Sequence, residues 1–73
     1  MNIDRLRGIR CERRKTHDEC AAALGLKAGT SYRIKEYGDS EFSVSQMVAL
    51  VDFLHMTAAE VNEVFFDGRL TVS

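Results

Sequence analysis

The fold of this chain is decided by residues 16–37, which read THDECAAALGLKAGTSYRIKEY. Thr16 and Glu19 have the spacing of a capping box, in which the hydroxyl accepts from the third helical amide and the carboxylate accepts from the cap's own amide. Apolar residues then recur at helical spacing as far as Leu24, and Gly25 is the residue type that most often ends a helix. A second helical pattern runs on to Tyr37. The segment therefore predicts two short helices joined by a tight glycine turn, which is the outline of a helix-turn-helix.

Two further capping boxes follow this segment, Ser43 with Gln46 and Thr57 with Glu60. Each opens a run with the 3.6-residue apolar repeat of an amphipathic helix. Before the segment, another apolar repeat predicts a first helix from about residue 3 to residue 14. The sequence thus predicts five helices, an all-α fold class and a single domain over residues 1–73.

The apolar repeats also predict which side of each helix faces the core. In the third helix we expect one inward face to hold Thr30, Ile34 and Tyr37, with Ile34 as its anchor. The fourth helix is apolar over much of its girth and is therefore expected to be central; its apolar residues are Met47, Val48, Leu50, Val51 and Leu54. The fifth is expected to turn Val61, Val64 and Phe65 inward. Residues 68–73 alternate between apolar and polar side chains, which favours a short strand.

Composition limits the class of protein. The chain is 45% hydrophobic and 29% charged, and no apolar run is long enough to cross a membrane. The first residues lack the apolar stretch of a signal peptide, so the expected compartment is the cytoplasm, where thiols stay reduced. Cys11, His17, Cys20 and His55 lack the paired spacing of a metal site, so we expect no metal and no cofactor. Cys20 shares an apolar stripe with Leu24 and is expected to be a buried free thiol, and Cys11 an accessible one.

Charge is distributed unevenly along the chain. Residues 1–37 carry nine basic and five acidic side chains, a net +4, whereas residues 38–73 carry one basic and six acidic side chains, a net −5. A chain polarised in this way can present a positive face to an anion. There is no glycine-rich phosphate loop, no nucleophile elbow and no H-E-x-x-H motif, so we expect a binding protein and not an enzyme.

With one helix before the helix-turn-helix and two after it, the chain resembles the lambda-repressor-like family of DNA-binding domains, the Cro/CI or XRE type. It is similar to short phage and prophage regulators of Gram-positive bacteria. The resemblance covers about residues 3–66 and is carried by Leu6, Ile9, Arg10, Thr16, Glu19, Ala21, Leu24, Gly25, Thr30, Arg33, Ile34, Gly38, Val51, Leu54 and Phe65. The chain departs from the family pattern at Lys15, His17 and Cys20. The segment between Ile34 and Ser43 is also one residue longer than the commonest form.

The resemblance implies that the second helix of the motif, about residues 27–37, lies in the major groove of DNA. The residues then expected to meet DNA are Arg10, His17, Lys27, Ala28, Gly29, Ser31, Tyr32 and Arg33. Arg33 is expected to read a base, because its guanidinium matches O6 and N7 of guanine. Ala28 and Gly29 bring no polar group, so they either meet a thymine methyl or leave specificity to the shape of the DNA.

The remaining basic groups of this set, Arg10, His17 and Lys27, are expected mainly to contact phosphate. In the family, the arginine that corresponds to Arg10 also pairs with an acid late in the recognition helix. Simple counting gives Lys35 at that position, a like charge, and Glu36 is the alternative if the extra residue rotates the end of the helix.

As a function, the resemblance implies a sequence-specific regulator of transcription of the phage-repressor kind, bound to a double-stranded DNA operator in the nucleoid. A homodimer is expected through the fifth helix and the tail, residues 67–73, because of the apolar side chains Phe65, Phe66, Leu70 and Val72. The alternative is a protein-interaction module on the same scaffold, such as the antitoxin of a toxin–antitoxin pair. The partner of such a module would bind the acidic and apolar C-terminal half.

Overall fold

A computed structural model of the chain describes residues 1–68. It contains the α-helices Ile3–Glu12 (α1), His17–Ala23 (α2), Gly29–Glu36 (α3), Val44–Phe53 (α4) and Ala58–Phe65 (α5). Residues 1–68 include no strand, so the predicted all-α class with five helices is confirmed for this part of the chain. The strand expected near the C-terminus, and the tail residues Leu70 and Val72, lie outside the described residues.

The helix boundaries follow the capping signals in the sequence. All three predicted capping boxes are present, because the hydroxyls of Thr16, Ser43 and Thr57 each accept from the third helical amide, and the Glu or Gln there accepts from the cap's amide. Gly25 and Gly38 follow α2 and α3 with φ of +74° and +85°, a conformation that glycine adopts without steric penalty. The first helix ends two residues earlier than predicted, at Glu12.

The core lies between the helices and is built largely from the residues that the apolar repeats indicate. Its members are Leu6, Ile9, Cys20, Ala21, Tyr32, Phe42, Leu50, Leu54, Met56 and Val64. Phe42 links two parts of this core, since its ring centroid lies 6.1 Å from that of Tyr32 and 6.0 Å from that of Phe65. The amide of Asn2 donates to the carbonyl of Val64 at 2.8 Å and ties the start of α1 to α5.

The expected inward face of α3 is wrong. Ile34 is 45% exposed, and Thr30 and Tyr37 are exposed as well. The buried stripe consists of Gly29, Tyr32 and Glu36 instead. Side-chain polarity gives the wrong inward face for two reasons. The aromatic ring of Tyr32 is apolar enough to fill the interior. The carboxylate of Glu36 can be buried because Arg10 and the Tyr32 hydroxyl donate hydrogen bonds to it.

The expectation that α4 is central holds only for its inner side, where Met47 and Val51 pack against the core beside Leu50. Leu50 is its one buried residue, whereas Val44 and Val48 are 77% and 64% exposed. The apolar outer side of α4 faces a shallow groove that α5 completes. Its lining consists of Val44, Met47, Val48, Val51, Asp52, Val61, Phe65 and Phe66. The strong apolar character of α4 therefore reflects two apolar surfaces, one in the core and one facing outward.

Cys20 is buried and Cys11 is exposed, both as free thiols, as predicted. Within residues 1–68, no helix is long and apolar enough to pass through a membrane. In the same residues, no three His, Cys, Asp or Glu side chains lie close enough together to hold a metal ion.

Candidate nucleic-acid interface

A buried ion pair fixes α1 against α3, the helix expected to meet DNA. The Nε of Arg10 donates to Oε1 of Glu36 at 2.6 Å, and its Nη1 donates to the carbonyl of Lys15 at 2.8 Å. The side chains of Arg10 and Glu36 are 10% and 0% exposed. Burial lowers the pKa of Arg10, but the hydrogen bond and the charge of Glu36 outweigh burial and raise it overall.

This pair decides between two alternatives from the sequence and corrects one expectation. Of Lys35 and Glu36, the residue that faces Arg10 is Glu36. The Lys35 ammonium instead donates to the carbonyl of Glu41 at 2.8 Å. Because the guanidinium of Arg10 is buried and bonded to protein groups, the expectation that Arg10 mainly contacts phosphate is corrected: its place is in the interior, between α1 and α3.

Tyr32, expected to flank the DNA contacts, is fully buried, so that expectation is wrong. Its hydroxyl donates to Oε1 of Glu36 at 3.1 Å. Burial, followed by the charge of Glu36, raises the pKa of Tyr32 well above its ordinary value. Burial also raises the pKa of the neighbouring Cys20 thiol to about 11. These two groups are therefore neutral parts of the core around neutral pH.

His17 connects the buried pair to the surface. Its Nε2 lies 3.1 Å from Oε2 of Glu36, and its side chain is 32% exposed. Its ring centroid lies 6.0 Å from that of Tyr32. Glu36 and Tyr32 thus hold the buried side of the His17 ring, while the rest of the ring is exposed to solvent beside the start of α3.

Gly29 is also buried, so it does not belong to the surface expected to meet DNA. Its amide donates to Oδ1 of Asp18 at 3.1 Å. Ala28 is the N-cap residue of α3, but its methyl group cannot accept a hydrogen bond. The carboxylate of Asp18 in α2 caps the helix instead, because it accepts from the first amide of α3. A Cβ at Gly29 would overlap the carboxylate of Asp18. The glycine is therefore explained by the close approach of α2 and α3.

The remaining side of α3 is open to solvent. Lys27, Ala28, Thr30 and Arg33 are exposed there, and Ser31 is half-buried. Thr30 and Arg33 line a shallow polar cleft together with Thr16, His17, Asp18 and Gly29. Sequence reasoning did not select Thr30, because it placed this residue on the inward face of the helix. The structure thus brings His17 and Arg33 to one surface and adds Thr30 to them. Lys27 lies two residues before the same helix begins.

The ion pairs divide the basic residues into two groups. Arg5 and Arg13 on α1 bind the acids of α5, with Arg5 Nε 2.6 Å from Glu63 Oε2 and Arg13 Nη2 2.9 Å from Glu60 Oε1. The pKa of Glu60 is lowered by the backbone hydrogen bond of its capping box and by its bonds with Arg13. By contrast, Lys27 and Arg33 take part in no ion pair among residues 1–68. The other lysines and arginines in this part of the chain without an ion pair are Arg14, Lys15 and Lys35.

Comparisons of the chain with protein-family models, with curated proteins and with solved structures find no match.

Proposed function

We propose that this protein is a sequence-specific DNA-binding regulator of transcription that inserts α3 into the major groove. The observation that carries the proposal is the exposed side of α3. Arg33 on this side, and Lys27 two residues before the helix begins, take part in no ion pair of residues 1–68. Arg5, Arg10 and Arg13 are instead paired with acids of other helices. The protein acts by binding and not by catalysis, in the cytoplasm on the nucleoid. The resemblance of the sequence to lambda-repressor-like domains supports the same assignment.

In this proposal Arg33 reads a base and its neighbours hold the backbone. A guanidinium can donate two parallel hydrogen bonds to O6 and N7 of guanine. Lys27 and the open side of His17 flank Arg33 and contact phosphates, and the hydroxyl of Thr30 is available to either. Ala28 contributes a methyl group that suits thymine. With so few polar readers on α3, DNA shape supplies part of the specificity.

We further propose that the protein binds DNA as a homodimer. The groove between α4 and α5 is mostly apolar, and Val44, Val48 and Phe66 around it are 77%, 64% and 42% exposed. A second copy that covers these side chains would remove them from water. Two copies would then read half-sites about 34 Å apart, one turn of the duplex.

The same groove favours a second candidate function, that of a protein-binding module such as an antitoxin. An amphipathic segment of another protein can occupy an apolar groove between two helices. In that case the DNA surface of α3 would have no role in the protein's activity.

Selection of bound duplexes from a random DNA pool tests the proposed function. We expect an enriched motif, and an affinity for it that falls linearly with the logarithm of salt concentration. Duplexes scrambled from the motif should bind more weakly at every salt concentration. If no motif is enriched, the proposed sequence-specific function is wrong. If the full chain also binds no duplex of the pool at low salt, the protein-binding module takes its place.

A further inference from the structure

We infer that Arg7 and Tyr37 extend the DNA-binding surface from α3 onto α1, with Arg7 contacting a backbone phosphate and Tyr37 positioning both Arg7 and Arg33. This inference rests on the proposed function and adds a second element to the same surface. The observation behind it is a shared aromatic ring. The guanidinium carbons of Arg7 and Arg33 lie 5.6 Å and 5.3 Å from the centroid of the Tyr37 ring, which is itself part of an exposed side chain.

The arrangement follows from the way α1 and α3 are joined. Arg7 precedes Arg10 by three residues and therefore lies on the same side of α1. Arg10 is bonded to Glu36, and Tyr37 is the next residue along the chain. Arg33 and Tyr37 are four residues apart at the end of α3 and lie one above the other. The seam between the two helices thus consists of a buried ion pair and, beside it, an exposed cluster of two guanidiniums and one phenol ring.

The chemistry of this cluster suits a phosphate diester. A cation–π contact with a ring leaves N–H groups of the guanidinium available, and these form paired hydrogen bonds with phosphate oxygens. Two cations that share one ring also repel each other, and a phosphate near them would reduce that repulsion. The competing anion is Asp4, whose Oδ1 lies 3.2 Å from Nη2 of Arg7. Its side chain is largely exposed, so this ion pair is weak and a phosphate can displace it.

The test measures affinity by fluorescence anisotropy over a series of salt concentrations, on the duplex selected from the pool and on its scrambled form. Arg7→Ala should weaken binding to both by the same factor, about fivefold to tenfold at 0.1 M salt, and lower the salt slope by roughly one phosphate contact. Asp4→Asn should strengthen binding to both duplexes, because it removes the competing carboxylate. The matched control is Arg5→Ala, which removes the same charge from the side of α1 that faces Glu63.

Tyr37 is tested as a positioning residue by a pair of variants. Tyr37→Leu should weaken binding to both duplexes and also reduce the preference for the selected duplex. Tyr37→Phe should keep the affinities of the unmodified protein, because the ring and not the hydroxyl holds the guanidiniums. Circular dichroism confirms that each variant is folded.

Three results would overturn the inference. They are an Arg7→Ala salt slope equal to that of Arg5→Ala, an Asp4→Asn affinity no higher than that of the unmodified protein, and a Tyr37→Phe variant as weak as Tyr37→Leu. If the unmodified protein binds neither duplex, the proposed function itself fails. If it binds and only these variants behave unexpectedly, the inference alone fails.

Discussion

Glu36→Leu should strongly destabilise this small domain. The substitution leaves the guanidinium of Arg10 buried without a countercharge and removes the acceptor of the Tyr32 hydroxyl. Breaking a buried ion pair by removing one partner costs roughly 3–5 kcal/mol. A chain of 73 residues has a total free energy of unfolding of about 4–11 kcal/mol. The variant is therefore expected to lose from about a quarter of the stability of the unmodified protein to all of it.

The matched control is Glu63→Leu. Glu63 binds Arg5 at the same 2.6 Å distance, but its side chain is 47% exposed. An exposed ion pair of this kind contributes at most about 1 kcal/mol, so the control should unfold close to the unmodified protein. The residue change and the ion-pair distance are the same in both variants, so the contrast reports the burial of Glu36 together with its additional contacts to Tyr32 and His17.

A double variant separates the buried charge from the other contacts. Arg10→Met with Glu36→Leu replaces the pair by apolar side chains of similar size, which proteins often tolerate well. It should recover at least about 2 kcal/mol relative to Glu36→Leu, with a remaining loss of about 1 kcal/mol for the unpaired Tyr32 hydroxyl. Urea unfolding followed by circular dichroism measures each value. The reasoning is refuted if Glu36→Leu costs less than about 1 kcal/mol, or if the double variant recovers nothing.

Three further predictions concern the close approach of α2 and α3, the buried thiol and the apolar groove. Gly29→Ala should lose about 1–3 kcal/mol of stability through overlap with Asp18, although alanine is the better helix former, and a gain in stability would contradict the overlap. The raised pKa of Cys20, about 11 when folded, lets the unfolded thiol ionise first. The ionisation of this thiol should therefore lower the free energy of unfolding by about 2 kcal/mol between pH 9 and pH 11, and Cys20→Ala should reduce the fall; an unchanged pH profile of the variant would be the contrary result. Val48→Lys should shift sedimentation from dimer to monomer without unfolding the domain, and an unchanged sedimentation coefficient would exclude this groove as the interface.

Local signals in the sequence predict most of the fold. Capping boxes and helix-ending glycines act over three or four residues, so Thr16, Ser43, Thr57, Gly25 and Gly38 mark helix boundaries without reference to tertiary structure. The burial of Cys20 and the exposure of Cys11 also follow from helical periodicity alone.

The rotation of α3 is not predictable from its own residues. Hydropathy favours Ile34 inside and Glu36 outside, and the observed order is the reverse. Arg10, a partner 26 residues away, decides which side of α3 faces the core, because its guanidinium stabilises the buried carboxylate of Glu36. Such a pairing is visible in a single sequence only as one of several possible charge pairs.

The candidate site follows the same division. Their positions in the sequence indicate Lys27 and Arg33 as candidate DNA contacts, and both side chains are exposed. Tyr32 and Gly29 are buried instead, because they pack against other parts of the fold. The apolar surface of α4 is ambiguous for a similar reason. A repeat of valines at Val44 and Val48 predicts burial, but it does not distinguish the protein's own core from an interface.

Whether Arg33 reads a base from the exposed side of α3 is measured with the Arg33→Ala variant. Its affinity is measured on the selected duplex and on the scrambled duplex, with Lys27→Ala as the matched variant. Arg33→Ala should lose about 1–3 kcal/mol on the selected duplex and relax the preference at one base position, with a much smaller loss on the scrambled duplex. Lys27→Ala should weaken both duplexes alike. Equal losses on both duplexes for Arg33→Ala would make Arg33 a backbone contact and contradict the account.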